Sequence, residues 1–239
     1  YAFLILKDNI DFVHYEGHGV ADARKNMAMF DYIEDYFINT TIRLSSGERY
    51  QKNSGVASGS YFTQLIDSIV NHIIISWFCY EQNMHPLDVI VLGDDSLIAT
   101  SRPLDQQKCF DLAERIGMKL NLKKSMFTED LHSIKFLGYR INHGMPEKER
   151  SDWIAALLYP ERPDLSWDDV ASRAMGLLYA NMGIDQYFDG ICRTIINLRP
   201  FNLRFSRNQD RMLKMIGFSE KLNIVPPDCY EFLARLKII

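Results

Sequence analysis

The sequence predicts an α+β fold, with helices and antiparallel hairpins mixed over residues 1–146 and an all-helical segment over 147–239. Three observations carry this expectation. Apolar residues recur at helical spacing over 21–38, where Met27, Phe30, Ile33, Tyr36 and Phe37 fall in register, and again over 61–82. Two pairs of β-rich runs close on turn residues, at Ser45-Ser46-Gly47 and at Gly93-Asp94-Asp95. After His143-Gly144-Met145-Pro146 the strand signals fade and helical spacing continues to the end, so a boundary is placed near 146. Antiparallel hairpins between helices point away from a doubly wound parallel sheet.

In chain order, residues 1–15 and 21–38 read as helices, and 40–51 (TTIRLSSGERYQ) as a hairpin. SGVASGS, 54–60, is a loop of small residues. Residues 61–82 form a long helix. Asp88–Leu92 and Ser96–Thr100 are short strands around Gly93-Asp94-Asp95. A helix runs from Leu104 to about Ile116, and Gly117 ends it. KLNLKKS, 119–125, reads as a short strand and turn, and SIKFLGYRIN, 133–142, as a strand with a glycine kink.

Composition narrows the function classes. The 239 residues are 47% apolar and 24% charged, as in an ordinary globular protein. A net charge of −4 does not by itself advertise nucleic-acid binding, although a local channel can still be basic. Cys79, Cys109, Cys192 and Cys229 lie far apart, with no C-x-x-C pair, and read as reduced thiols of a cytosolic setting. The longest apolar stretch, 69–80, is interrupted by Asn71 and His72 and is too short to span a bilayer. The opening YAFLIL lacks the basic flank of a signal peptide. The chain starts at Tyr1, inside an apolar pattern with no capping residue before it, so it is expected to be part of a longer polypeptide.

The acidic pair at 94–95 is the first candidate site. Gly-Asp-Asp arises by chance in roughly one chain in 25 of this length, so the tripeptide alone reads as a hairpin turn. Its context changes that reading. VIVL precedes it and LIA follows, and two adjacent carboxylates become favourable when they share divalent cations. A pair of metal ions about 3.5–4 Å apart is the device for in-line phosphoryl transfer, and it needs a further carboxylate from another element. The long helix adds a second feature. Ser60, Thr63, Gln64, Asp67, Ser68 and Asn71 share one face, and that face has no Lys, Arg or Glu over three turns. Short polar groups of this kind suit a ligand, or a backbone packed close by, better than open solvent.

With these residues in view, the sequence resembles the viral RNA-directed RNA polymerases, in particular those of partitivirus-like double-stranded-RNA viruses. GVASGSYFTQLIDSIVN, 55–71, is similar to that family's motif B, VLGDDS, 91–96, to motif C, LNLKKS, 120–125, to motif D, and KFLGY, 135–139, to motif E. The resemblance implies a right-hand polymerase palm, an antiparallel sheet with packed helices, over 1–146, and an α-helical thumb over 147–239. It implies template-directed nucleotidyl transfer from NTPs to an RNA 3′-hydroxyl by a two-metal mechanism with Mg²⁺ or Mn²⁺. Asp94 and Asp95 match the metal-binding and catalytic aspartates. Lys124 matches the lysine that protonates pyrophosphate, with Lys123 adjacent and either assignment open; a solvated turn accounts for both as well. Ser58 and Gly59 match the adjustable motif B loop. Thr63 and Asp67 match the positions that sense the ribose 2′-hydroxyl, and Asp67 departs from the asparagine of many members. Asn71 belongs to the same nucleotide-facing stripe. Phe136, Leu137 and Gly138 match the turn supporting the product strand, or are hairpin core.

The same resemblance implies RNA template and product, NTPs and viral capsid protein as partners, no membrane, and a place in the host cytoplasm within the virion. One part of the pattern is missing. No Asp-x(4,5)-Asp strand of the motif A type occurs in residues 1–50, so the chain is expected to be a fragment lacking motif A and fingers, inactive alone. The rival expectation is a non-catalytic polymerase-like module that binds RNA or builds a particle. Arg193, Arg199, Arg204, Arg207, Arg211 and Lys214 read first as a solvated helix face and second as an RNA-backbone surface.

Overall fold

The computed structural model describes residues 1–15, 19–20, 22–56, 58–121, 123–215, 217 and 226–237. Ala57 of the small-residue loop, Leu122 of the 119–125 segment and residues 216, 218–225 and 238–239 of the predicted helical tail lie outside the described residues. The chain divides into two compact units, 1–127 and 128–239.

The first unit begins with α1 (Ala2–Asn9), not a helix to residue 15. Asn9 turns its amide back onto the Ile5 carbonyl and the Asp11 carboxylate accepts the Val13 N–H at 2.8 Å, local bonds that compete with helix continuation. Strands β1 (His14–Tyr15) and β2 (Gly19–Val20) then pair antiparallel. Helix α2 (Ala23–Ile38) starts at Asp22, whose side chain accepts the Lys25 N–H, and buries Phe30 and Phe37, two turns apart. The expected hairpin follows as β3 (Thr41–Arg43) and β4 (Arg49–Gln51), with Gly47 at φ +91° in the turn.

Helix α3 (Thr63–Tyr80) is the spine of this unit. Ile66 packs into a cluster with Ala2, Phe3, Phe30 and Phe37, and Phe78 into a second with Cys109, Leu112 and Ala113. Strands β5 (Pro86–Leu92) and β6 (Asp95–Thr100) pair antiparallel, with Leu92 opposite Asp95. Helix α4 (Gln106–Arg115) is capped by Asp105 and stopped by Gly117 at φ +76°, whose N–H donates to the Glu114 carbonyl. The expected strand over 119–125 does not form among the described residues. Asn121 closes a turn there instead: its side chain accepts the Lys123 N–H and its carbonyl accepts those of Lys124 and Ser125.

The second unit opens with a three-stranded antiparallel sheet, β7 (Lys135–Phe136), β8 (Tyr139–Asn142) and β9 (Met145–Glu147). Both of its turns carry two residues at positive φ, Leu137-Gly138 and His143-Gly144, the geometry that matches strand twist in two-residue hairpins. The helices are α5 (Arg150–Leu158), α6 (Trp167–Asn181), α7 (Gln186–Asn197), α8 (Arg207–Met215) and α9 (Cys229–Arg235). Ser166 and Asp169 form a reciprocal capping box on α6, and Asp185 caps α7. One contiguous core joins Trp153, Leu157, Met175, Leu178, Tyr179, Phe188, Cys192 and Leu213. The Trp153 and Phe188 rings stack at 5.5 Å. Tyr139 of the sheet packs edge-on against Trp153 at 6.0 Å. This contact ties the sheet of the second unit to its helical core.

Candidate functional site

The acidic turn is built by one glycine and one helix. Leu92 and Asp95 pair across the hairpin, which leaves Gly93 and Asp94 as a two-residue turn. Gly93 has φ +63°, the positive value such a turn needs at its first position. Asp94 therefore stands at the tip and Asp95 is the first residue of β6; both are exposed.

The polar face of α3 holds this turn in place. The Ser68 hydroxyl donates to the Gln64 carbonyl at 2.6 Å and accepts the Gly93 N–H at 2.8 Å. The Asn71 amide donates to the Gly93 carbonyl at 3.1 Å. Both backbone groups of Gly93 are thus satisfied from a helix more than twenty residues earlier. The stripe of short polar groups has a backbone to hold, and Asn71, expected to face a nucleotide, has its amide committed to the turn. Ser68 is the turn-holding residue that the residue-by-residue motif match left out. Its only sequence signal was its place on the same helical face as Asp67 and Asn71.

Asp67 lies one turn before Asn71 on this face. Its carboxyl is pushed above the usual value of 3.8, first by burial and then by the negative charge of Asp94. The negative charge of Asp94 therefore reaches Asp67. That chemistry fits a divalent cation at Asp94 and Asp95, whose charge would reverse the repulsion. Among the described residues no group of three or more His, Cys, Asp or Glu side chains is arranged to hold a metal ion.

The remaining expected residues are placed as follows. Ser58 and Gly59 are exposed in the loop before α3, with Gly59 at φ +92°. Ser60 accepts the Phe62 N–H on its side chain and the Thr63 N–H on its carbonyl, which starts the helix at Thr63. Lys123 and Lys124 both lie exposed in the Asn121 turn of the first unit. Phe136 is half-buried, and Leu137 and Gly138 are exposed at the β7–β8 turn of the second unit. In the basic run, Arg193 is tied to Asp189 at 2.5 Å and to the Pro227 carbonyl, Lys214 pairs with Asp210, and Arg199 lies over the Phe201 ring. Arg204, Arg207 and Arg211 are exposed. Cys79, Cys109 and Cys192 are free and buried, with burial pushing the Cys192 thiol up to about 12; Cys229 is free and half-buried.

Comparison with known proteins adds independent findings. The family model described as viral RNA-dependent RNA polymerase matches residues 2–195. The RNA-directed RNA polymerase of Atkinsonella hypoxylon virus is 30% identical over 185 residues, covering 72% of this chain and 28% of that protein. That of White clover cryptic virus 1 is 29% identical over 151 residues, covering 59% and 24%, and that of Cryptosporidium parvum virus 1 is 29% identical over 202 residues, covering 75% and 36%. The chain thus spans between 24% and 36% of the length of these relatives. The solved RNA-dependent RNA polymerase of a human picorbirnavirus superposes with a TM-score of 0.65 at 14% identity, covering 82% of this chain and 38% of that one, a likeness of fold. Its insertion-loop deletion mutant gives the same TM-score and covers 40% of that chain.

Proposed function

This chain belongs to the viral RNA-dependent RNA polymerase family, of the partitivirus-like double-stranded-RNA virus type, and from that premise we propose that it carries the metal-binding hairpin and nucleotide-facing helix of an enzyme that copies RNA. The observation that carries this reading is the acidic turn, tied at both backbone groups of Gly93 to α3, with a third carboxyl, Asp67, whose pKa is raised first by burial and then by the charge of Asp94. In this reading elements α1 to β9 are the palm and α5 onward the thumb.

Asp94 and Asp95 would hold Mg²⁺, or Mn²⁺, together with a carboxylate from a further part of the polymerase. When bound, such ions activate an RNA 3′-hydroxyl and neutralise the departing pyrophosphate. Ser68 and Asn71 keep the turn from shifting as charge builds. Ser58, Gly59, Thr63 and Asp67 face the incoming NTP, with Asp67 accepting from a ribose hydroxyl. Lys124, or Lys123 beside it, would give the leaving pyrophosphate its proton. Phe136, Leu137 and Gly138 support the product strand. RNA template and product are the macromolecular partners, with capsid protein around them in a cytoplasmic particle; among the described residues no helix is long and apolar enough to cross a membrane.

The deciding experiment is nucleotide incorporation by the complete polymerase carrying Asp94→Asn. Turnover is expected to fall by at least about 10³-fold, on the scale of removing one member of a catalytic unit, while the melting transition stays in place. Turnover close to that of the parent would instead favour a non-catalytic, RNA-binding module.

A further inference from the structure

Away from the exposed acidic turn, one ionisable side chain among the described residues is deeply buried. Lys52 is 4% exposed and is the one buried charged residue among those described. Its ammonium donates to the Gly55 carbonyl at 2.8 Å and to the Ile38 carbonyl at 3.0 Å, and lies 5.5 Å from the centre of the Phe37 ring. Among the described residues no carboxylate pairs with it. Taking an ammonium out of water is costly unless its donors are met, so what it holds is informative.

Ile38 is the last residue of α2, so its carbonyl belongs to the group a helix leaves without an internal partner, at the negative end of its dipole. Gly55 stands at the root of the small-residue loop that leads through Ser58 and Gly59 to Thr63. The Lys52 backbone N–H also donates to the Thr40 carbonyl at 3.1 Å, extending the β3–β4 ladder by one bond. One residue therefore ties α2, the hairpin and the loop together. Beyond that root the surroundings open. Gly55 and Gly59 sit at φ +72° and +92°, and a Cβ on either would meet nothing within 4 Å. Lys52 anchors the loop at the Gly55 carbonyl, and open space lies around both glycines.

We propose that Lys52 is a positioning residue for nucleotide selection, its buried ammonium clamping the Gly55 end of the loop to the C-terminus of α2. The inference deepens the polymerase reading and rests on it. With the clamp present, Ser58, Gly59 and Thr63 are ordered before substrate arrives. Without it, the cost of ordering the loop falls on nucleotide binding. The loss then shows in KM more than in kcat.

The test uses the complete polymerase as Lys52→Met and Lys52→Arg, with Lys52→Gln, a neutral donor, as a second disruption should the methionine variant not fold. Two readouts are taken: hydrogen exchange of the 54–56 and 58–60 amides without substrate, and incorporation kinetics at varied NTP. Lys52→Met is expected to speed loop exchange by about tenfold or more and to raise KM by about tenfold, with kcat within about threefold; Lys52→Arg restores both. The proposal is overturned by unchanged loop exchange, by faster exchange with an unaltered KM, or by a loss of kcat that follows loss of folded protein in all three variants. Full turnover of the Asp94→Asn enzyme would remove the polymerase reading alone, because the exchange readout needs no catalysis.

Discussion

The two units differ in what holds them together. The second closes around one core, in which Phe188, Met175 and Leu178 are wholly buried and ten buried residues are contiguous. The first has two smaller clusters near opposite ends of α3, and its acidic hairpin leaves Leu87, Ile90 and Leu92 at 69%, 49% and 40% exposure. The site is held by polar bonds instead: Ser68 and Asn71 on Gly93, Lys52 on Gly55 and Ile38. Electrostatics divide the same way. In the second unit Asp185 is satisfied, its carboxyl held low by the Arg150 guanidinium and by the Phe188 N–H. In the first, Asp67 is frustrated by burial and by Asp94. A packed unit resists small changes until its core is breached, whereas a hydrogen-bonded site can be loosened one bond at a time.

The largest break in this comparison comes from the core. Phe188→Ala removes a wholly buried ring stacked on Trp153 and is expected to cost the second unit about 3–5 kcal/mol in denaturant unfolding. A loss under about 1 kcal/mol would mean that this core can collapse onto the gap and is not what stabilises the unit. Next comes Ser68→Ala, which leaves the Gly93 N–H without its acceptor. Because the turn is only half-buried and water can reach it, a stability loss of about 1 kcal/mol is expected. Incorporation by the complete polymerase should fall by more than that stability loss explains, about 10–100-fold, as when a residue supporting a metal ligand is removed. Unchanged incorporation would show that Asn71 alone holds the turn.

The smallest effect is one of pH. The Asp185 carboxyl is lower in the folded chain than its ordinary 3.8, so the folded state binds this proton less readily than the unfolded one. Its stabilisation is complete above the ordinary carboxylate value and is lost as pH falls through the lowered one. Asp185→Asn should flatten that acid limb of the second unit's stability curve while keeping a side-chain oxygen for the cap. Asp67 acts with the opposite sign: its raised carboxyl costs stability above its folded pKa, and acid relieves that cost. An unchanged acid limb in Asp185→Asn would remove the electrostatic half of the contrast between the units.

Much of the fold was legible locally. Helical spacing marked α2 and α3 to within two residues, and the β-rich runs around Ser45-Ser46-Gly47 and Gly93-Asp94 marked two of the three antiparallel pairs described in the first unit, β1–β2 being the one not marked. Asp94 and Asp95 stood out by type and context. The misses have local causes too: α1 stops early where Asn9 and Asp11 bond to nearby backbone, and 119–125 becomes a turn because Asn121 does the same. In both places a short polar side chain outcompeted an apolar pattern.

What the sequence determined by itself was whatever depends on neighbours within a turn or a hairpin: spacing, caps, glycine at a positive φ, and a motif whose residues are adjacent. Tertiary structure alone decided the partners of those residues. That Ser68 and Asn71 answer to Gly93, that Lys52 closes on Ile38 and Gly55 at once, and that Tyr139 joins the sheet to the Trp153 core follow from how separate elements pack. The reason is physical. Backbone periodicity is written over a few residues, but the demand of a buried charge or an unpaired N–H can be met from anywhere in the chain, and only the folded packing says from where.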